Sequence, residues 1–288
     1  MSLERLCAAV RLLAQTEELA ADATGGLLYA ASGAPVGSVL IEAGRICWIA
    51  AKGLNRRLSG LLMVGASEAD RERFESIFEW CREKGAPLGE TLLQHRLVDE
   101  AGLREAILRH SAESLLSLAP VANEVQWVEH QRRRYDARFT FCATELFVTA
   151  AALVLPEEAR AGRAHLERVL RGSGAGIAIV KHPESGPVCV AQVRGDHWSV
   201  SMLERLASYA ALAYDLLDSV SPEHGAMTIG ATLDTGLTVW RHEDLLYVSA
   251  TEDAGHPSLR VASLSGTLAL LGTDCRIPTP DPGGTRHD

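Results

Sequence analysis

Apolar side chains recur at helical spacing over residues 201–219, in the second half of the chain. Ser201 is followed three residues later by Glu204, a capping-box pattern that predicts a helix beginning near Met202. On a helical projection the apolar arc is roughly twice as wide as the ~100° stripe that a helix needs to pack on one sheet. The pattern therefore predicts a helix with two buried contacts.

The second contact of this helix has two interpretations. One is a second copy of the same helix across a two-fold axis, and the other is burial on both sides within one monomer. We favour the dimer as the working hypothesis. The helix positions expected at its interface are Met202, Leu203, Leu206, Tyr209, Ala210, Ala213, Leu216 and Leu217.

In the first half of the chain, apolar residues recur first at helical spacing, then at alternate positions, and then at helical spacing again. Ser67 and Asp99 are the expected N-caps of its two longer central helices. Turn sequences containing Gly33 and Gly44 separate three strands. The predicted helices are 2–20, 54–64, 67–84, 87–96 and 99–119, and the predicted strands are 27–31, 37–42, 45–52, 124–129 and 138–144.

The second half reads as helix, two strands, helix, three strands and helix. Hairpins within each half and one helical crossover give a single twisted antiparallel sheet of ββαβββ type with flanking helices. The fold class is therefore α+β, with a small antiparallel sheet and helices in residues 1–148, a five-stranded sheet in 153–272, and a loose tail at 273–288. The predicted strands are 176–182, 187–194, 226–233, 237–242 and 245–251, and a last helix covers 258–271.

Charge and composition exclude several classes of partner. The net charge of −9 disfavours nucleic acid and anionic membrane surfaces. No apolar run is long enough to insert in a membrane. The six cysteines are scattered without a CxxC pair, which favours reduced thiols, a cytoplasmic location and no metal site. We expect no cofactor.

Catalytic motifs are not found in the sequence. The chain has no G-x-S-x-G elbow, no H-E-x-x-H and no P-loop lysine. His130 and His242 each adjoin a glutamate, but neighbouring strand residues point to opposite faces, so each is interpreted as a lone surface histidine. The run at 132–134 is interpreted as a solvated arginine loop, with an anion site as the alternative. We expect no catalytic residue and a non-enzymatic protein.

The run GSVLIEAGRICWIA at 37–50 resembles the hairpin of the DUF4388 (PATAN) family. The leucine pattern of 88–108 and the strand around Trp127 extend the likeness over about residues 24–145. The resemblance implies a bacterial regulatory module fused to a signalling domain.

The Leu88-Gly89 stretch is also similar to the N-terminal cyclic-di-GMP module of secretion and pilus ATPases. That module has an arginine, a glycine and a glutamine where this chain has Pro87, Arg96 and His110. Glycine permits close backbone approach to a ligand, and arginine makes bidentate phosphate contacts. These departures argue against nucleotide binding.

The GLTVWRHEDLLYV run at 236–248, within the ββαβββ order, resembles the Roadblock/LC7 family. The family implies a homodimer, or a heterodimer with a second Roadblock-like protein, in which middle helices pack together and third strands extend the sheet. Thr228, Gly230 and Thr232 are then candidates on the third strand. Bacterial Roadblock proteins act as partners of small Ras-like GTPases.

The expected function is a signalling adaptor or scaffold that recruits such a GTPase or another protein. The alternative is a sensor that binds a cyclic dinucleotide or metabolite in the N-terminal module.

Overall fold

The computed structural model describes residues 3–19, 22–54, 57–132, 135–171, 174–182, 186–195, 226–232 and 235–251. The chain divides into two compact units, Met1–Arg160 and Ala161–Asp288. Each unit combines helices with an antiparallel sheet, so the protein belongs to the α+β class.

The first unit alternates helices with four strands. The bounds of its described helices are α1 Leu3–Glu17, α2 Arg57–Leu62, α3 Glu68–Lys84, α4 Leu88–Gln94, α5 Glu100–Leu118 and α6 Ala143–Val154. The strands are β1 Gly25–Ala31, β2 Ala34–Glu42, β3 Arg45–Ala51 and β4 Glu124–Glu129. The predicted caps are confirmed, because Ser67 accepts a hydrogen bond from the Asp70 amide and Asp99 accepts one from the Gly102 amide.

The four strands form one antiparallel sheet in the order β3-β2-β1-β4. Gly33 and Gly44 have positive φ in the tight turns before β2 and β3, as hairpin turns require. The buried side of the sheet carries alternate apolar side chains, and leucines of α5 complete the same core. These buried residues include Leu27, Val39, Ile41, Ile49, Leu115 and Leu116.

Helices α3 and α4 enclose a small cluster of their own. Phe74, Ile77 and Cys81 from α3 pack with Leu92 from α4. Helical spacing predicts that Phe78 joins this cluster, but its side chain is 36% exposed. Helix α4 has only 7 residues and is too short to cover the whole apolar arc of α3.

The expected strand at 138–144 is wrong. Residues 137–139 form a single 3-10 turn, Phe141 makes an isolated bridge with Ile46, and α6 begins at Ala143. Cys142 is the N-cap: its sulfur accepts from the Glu145 amide, while the Glu145 carboxylate accepts from the Cys142 amide. This reciprocal cap, followed by an alanine-rich apolar run, stabilises a helix where alternation indicated a strand.

Glu145 joins α6 to two other parts of the first unit. Its carboxylate is buried, accepts a hydrogen bond from Arg104 of α5 at 2.6 Å, and lies 3.8 Å from the Arg45 guanidinium. Arg45 also donates to the hydroxyl and carbonyl of Thr140. One carboxylate therefore ties the β2–β3 turn, α5 and the start of α6 together.

Burial on β4 also differs from the sequence prediction. The apolar residues of this strand predict burial of Val125 and Trp127, but Val125 is 47% exposed, Val128 is 40% exposed and Trp127 is half-buried. Strand β4 is an edge strand of its sheet and pairs only with β1 among the described strands. A strand at the edge of a sheet has a neighbouring strand on one side only. Its side chains are therefore less covered than those of an interior strand, even when they are apolar.

The second unit is built on five strands. Helix α7, Pro156–Leu170, begins at a proline, which is favoured in the first turn of a helix. The division between the two units falls within this helix. The strands are β5 Gly174–His182, β6 Gly186–Arg194, β7 Ala226–Thr232, β8 Thr235–His242 and β9 Leu245–Thr251. They form one antiparallel sheet in the order β6-β5-β9-β8-β7.

Both faces of the central part of this sheet are covered. Every residue from Leu245 to Ala250 is buried, and because successive strand residues point to opposite faces, neither face is open to solvent there. Helix α7 packs closely on one face, since a Cβ built on Gly162 would lie 2.7 Å from the Cβ of Ala178. Leu166 and Leu170 of α7 are buried, whereas Val169 is 48% exposed.

Several sequence predictions lie outside the described residues. They are the helix at 201–219, the last helix at 258–271 and the tail at 273–288. Among the helices of the described ranges, none has both the length and the apolar character required to cross a bilayer.

Candidate functional site

The end of the second sheet at β7 is the feature that bears on the dimer hypothesis. Strand β7 pairs with β8 in antiparallel register, and no other described strand adjoins it. Its second edge therefore presents backbone N–H and C=O groups without a ladder partner from the described part of the chain. Such an edge is a template on which another strand can pair.

The residues expected at the dimer interface divide into two groups. The eight positions on the middle helix, Met202, Leu203, Leu206, Tyr209, Ala210, Ala213, Leu216 and Leu217, lie outside the described residues. Thr228, Gly230 and Thr232 all lie on β7, opposite Thr238, Gly236 and Thr235 of β8. The register shifts between Gly230 and Thr232, so the alternation that relates the first two positions is interrupted before the third.

The two edges of this sheet differ in sequence. Strand β7 reads AMTIGAT and contains neither a charged residue nor a proline. Strand β6, at the opposite edge, contains Pro187 and ends at Arg194. Proline and charged side chains are two of the devices that keep an edge strand from pairing with another chain. Only the β6 edge carries them.

A cluster of aromatic and histidine side chains joins α7 to β8 and β9. The His165 ring stacks on the His242 ring at a centroid separation of 4.2 Å and lies 4.5 Å from the Tyr247 ring. Trp240 stacks on Tyr247 at 5.3 Å. His242 is exposed, as its sequence context indicated, but it is not isolated, because its ring stacks on His165.

Both ring nitrogens of His165 face hydrogen-bond donors. The Trp240 indole N–H donates to Nε2 at 3.2 Å, and the Arg168 guanidinium lies 2.7 Å from Nδ1. Neutral imidazole has one acceptor nitrogen, and imidazolium has none. The neutral tautomer therefore accepts from one donor at a time, and protonation removes both contacts.

The surroundings of His165 oppose its positive charge. Desolvation is the largest cause that lowers its pKa below 6.5, followed by repulsion from His242 and Arg168; Glu243 acts in the opposite direction. Burial raises the pKa of Tyr247 to about 12, so its hydroxyl stays neutral near pH 7. The cluster braces a helix against two strands.

Sequence reasoning did not find this cluster. Its members are far apart in the chain, with Trp240 and His165 separated by 75 positions, and no short motif links them. Within the described ranges, no group of three or more His, Cys, Asp and Glu side chains is placed to hold a metal ion.

The structure thus defines an α+β protein in which, among the described residues of the second unit, β7 forms a sheet edge that contains no charged residue and no proline. Comparisons of the chain with protein-family models, curated proteins and solved structures found no match.

Proposed function

We propose that this protein is a non-enzymatic signalling adaptor that forms a homodimer through its second unit and recruits a partner protein. The observation that carries the proposal is the β7 edge, a strand of seven residues without charge or proline at the end of a five-stranded antiparallel sheet. Two such edges related by a two-fold axis would continue one sheet across the dimer.

The order of elements supports the same proposal. Two strands, β5 and β6, precede residues 195–225, and the three strands β7, β8 and β9 follow. The Roadblock/LC7 resemblance implies a third strand that can meet its counterpart at a sheet edge, and the position of β7 at the end of the described sheet supports the proposal. The apolar pattern of 201–219 supplies a second surface for the proposed interface.

The proposed partner class rests on the resemblance. Bacterial Roadblock proteins act with small Ras-like GTPases, so a GTPase of that class is the first partner to test. A composite surface formed by two copies of the second unit would be its docking site. The first unit, with its DUF4388 (PATAN) likeness, would recruit a second partner or bind a ligand.

Light scattering coupled to size-exclusion chromatography tests the dimer. The expected result for the full chain at micromolar concentration is twice the monomer mass of 31.0 kDa. Thr228→Lys, which places a charge on the β7 edge, is expected to shift the equilibrium to monomer while circular dichroism stays unchanged. Val169→Lys adds the same charge on the exposed side of α7 and is the matched control.

Hydrogen exchange provides a second readout that does not depend on a variant. In a dimer paired through β7, the amides of 226–232 become more protected as protein concentration rises. A full chain that stays monomeric, or a dimer in which β7 amides show no concentration dependence, would contradict pairing through this edge.

A further inference from the structure

A small polar cleft in the first unit lies between α1, β1, β4 and the loop that follows α5. Its volume is about 210 Å³. Ligand pockets for drug-sized molecules occupy roughly 300–1,000 Å³. The cleft is therefore too small for a cyclic dinucleotide and is suited to a ligand of the size of an amino acid.

Opposite charges line this cleft without neutralising each other. Arg11 of α1 and Glu124 of β4 both contribute to its wall, and no ion pair joins them. The Arg11 guanidinium has no hydrogen-bond or ion-pair partner among the described residues. Glu124 is held in place, because the Gly33 amide donates to its Oε1 at 3.1 Å. A small ligand that carries both charges would complement the pair.

The C-terminal end of α5 contributes partial negative charge to the part of the cleft near Glu124. Helix α5 ends at Leu118, and residues 119, 120, 122 and 123 line the cleft beside Glu124. The C-terminus of a helix carries partial negative charge from its last carbonyl groups. An ammonium group is therefore favoured near Glu124, and a carboxylate is favoured near Arg11.

Neutral groups complete the lining. The Tyr29 hydroxyl donates to Oε1 of Gln15 at 3.1 Å, and burial raises the pKa of Tyr29, so the phenol stays uncharged. This bond fixes the Gln15 amide and leaves its N–H donors for another acceptor. Leu12 and the exposed Val125 provide apolar contact for an aliphatic group.

We infer that this cleft binds a free α-amino acid, with the carboxylate on Arg11, the ammonium on Glu124 and the end of α5, and a small side chain against Leu12 and Val125. The inference goes beyond the adaptor proposal and makes the first unit a sensor of a small zwitterion. It does not depend on dimerisation, so either proposal can fail without the other.

Isothermal titration calorimetry of the full chain with each of the proteinogenic L-amino acids is the test. At least one is expected to bind with a dissociation constant below about 10 mM, a range accessible to a site with a few polar contacts. Acetate and methylammonium, which each carry one of the two charges, are expected to bind at least about tenfold more weakly.

Matched variants locate the binding site. Arg11→Gln and Glu124→Gln are each expected to weaken amino-acid binding by about tenfold or more, because each removes a charge-assisted contact. Arg5→Gln on the same helix and Glu129→Gln on the same strand lie outside the cleft lining and are expected to leave binding unchanged. Circular dichroism confirms that each variant is folded.

The outcomes that overturn the inference are distinct. No heat of binding from any amino acid excludes the site. Binding that neither Arg11→Gln nor Glu124→Gln weakens places the ligand elsewhere. Acetate binding equal to that of the amino acid shows a simple anion site instead of a zwitterion site. Binding of cyclic di-GMP that is lost in both cleft variants contradicts the size argument.

Discussion

The Trp240 indole donates a hydrogen bond to His165 across the packing of α7 on the second sheet, with Nε1 and Nε2 separated by 3.2 Å. This bond requires an unprotonated Nε2. It therefore links the protonation state of one histidine to the contact between a helix and a strand. The His242 ring, stacked on His165, and the nearby Arg168 and Glu243 set the electrostatic environment of that contact.

The stability of the second unit is expected to fall in mild acid. The folded-state pKa of His165 is lowered below its usual 6.5, so the unfolded chain binds a proton more readily than the folded one. The contribution of neutral His165 is present above pH 6.5 and is lost as pH falls through the folded-state pKa. Chemical denaturation followed by circular dichroism between about pH 7 and pH 5 measures the slope.

His165→Gln provides the comparison for that slope. Glutamine does not titrate, so the variant is expected to lose part of the acid dependence while being less stable than the parent at pH 7. His130→Gln, at a half-buried histidine of the first unit, controls for the loss of one histidine. An identical slope in the parent and the His165 variant would show that this histidine does not couple to folding.

Removal of the Glu145 carboxylate is expected to destabilise the first unit. Glu145→Ala leaves Arg104 and Arg45 without their shared partner and removes half of the reciprocal cap at Cys142. The expected loss is about 2–3 kcal/mol, since the side chain is buried while both arginines keep some contact with water. Native-state hydrogen exchange of the slowest amides in α5 reports it.

An exposed ion pair is the control for Glu145. Glu167→Ala breaks the i,i+4 pair with Arg163, whose partners are 56% and 68% exposed, and the expected change is within about 0.5 kcal/mol. Glu145→Gln retains the shape of the side chain and is expected to lie between the parent and Glu145→Ala. Equal effects of Glu145→Ala and Glu167→Ala would contradict the role of burial.

Two glycine-to-alanine substitutions in helices are expected to have opposite signs. Gly162→Ala on α7 would place a methyl group 2.7 Å from Ala178, and overpacking there should cost about 1–3 kcal/mol. Gly60→Ala on α2 meets no atom within 4 Å and should stabilise by about 0.5–1 kcal/mol through helix propensity. Thermal denaturation of each variant and of the parent protein measures the two changes in stability. A stabilising Gly162→Ala would show that α7 can move away from β5 at little cost.

The buried cysteines are expected to resist thiol reagents in the folded protein. Burial is the main cause that raises the pKa of both Cys47 and Cys189 to about 12, so few thiolates form at pH 8. Reaction with a disulfide reagent at pH 8, followed by peptide mass mapping, is expected to leave both unmodified until denaturant is added. The half-buried Cys7 is the internal comparison. Rapid labelling of Cys189 in the native state would indicate local opening of β6.

Local chemistry explains which elements could be predicted. Alternating side chains and short turns predicted eight of the nine described strands to within two residues, and β2, which begins three residues early, remains a strand of the predicted hairpin. The caps at Ser67 and Asp99 and the opening of α7 at Pro156 depend on neighbours within one helical turn. The local pattern does not predict helix α6, because cysteine is not among the residues that commonly form an N-cap.

The sequence by itself determined the α+β class, the strands of the described ranges and their hairpin turns, and most of the described helices, because periodicity and capping act between residues close in the chain. Only the tertiary structure decided the strand order, which strands lie at sheet edges, how far Val125 and Phe78 are covered, and the meeting of His165 with Trp240. Those features depend on contacts between residues distant in sequence, and no local pattern specifies which surfaces will meet.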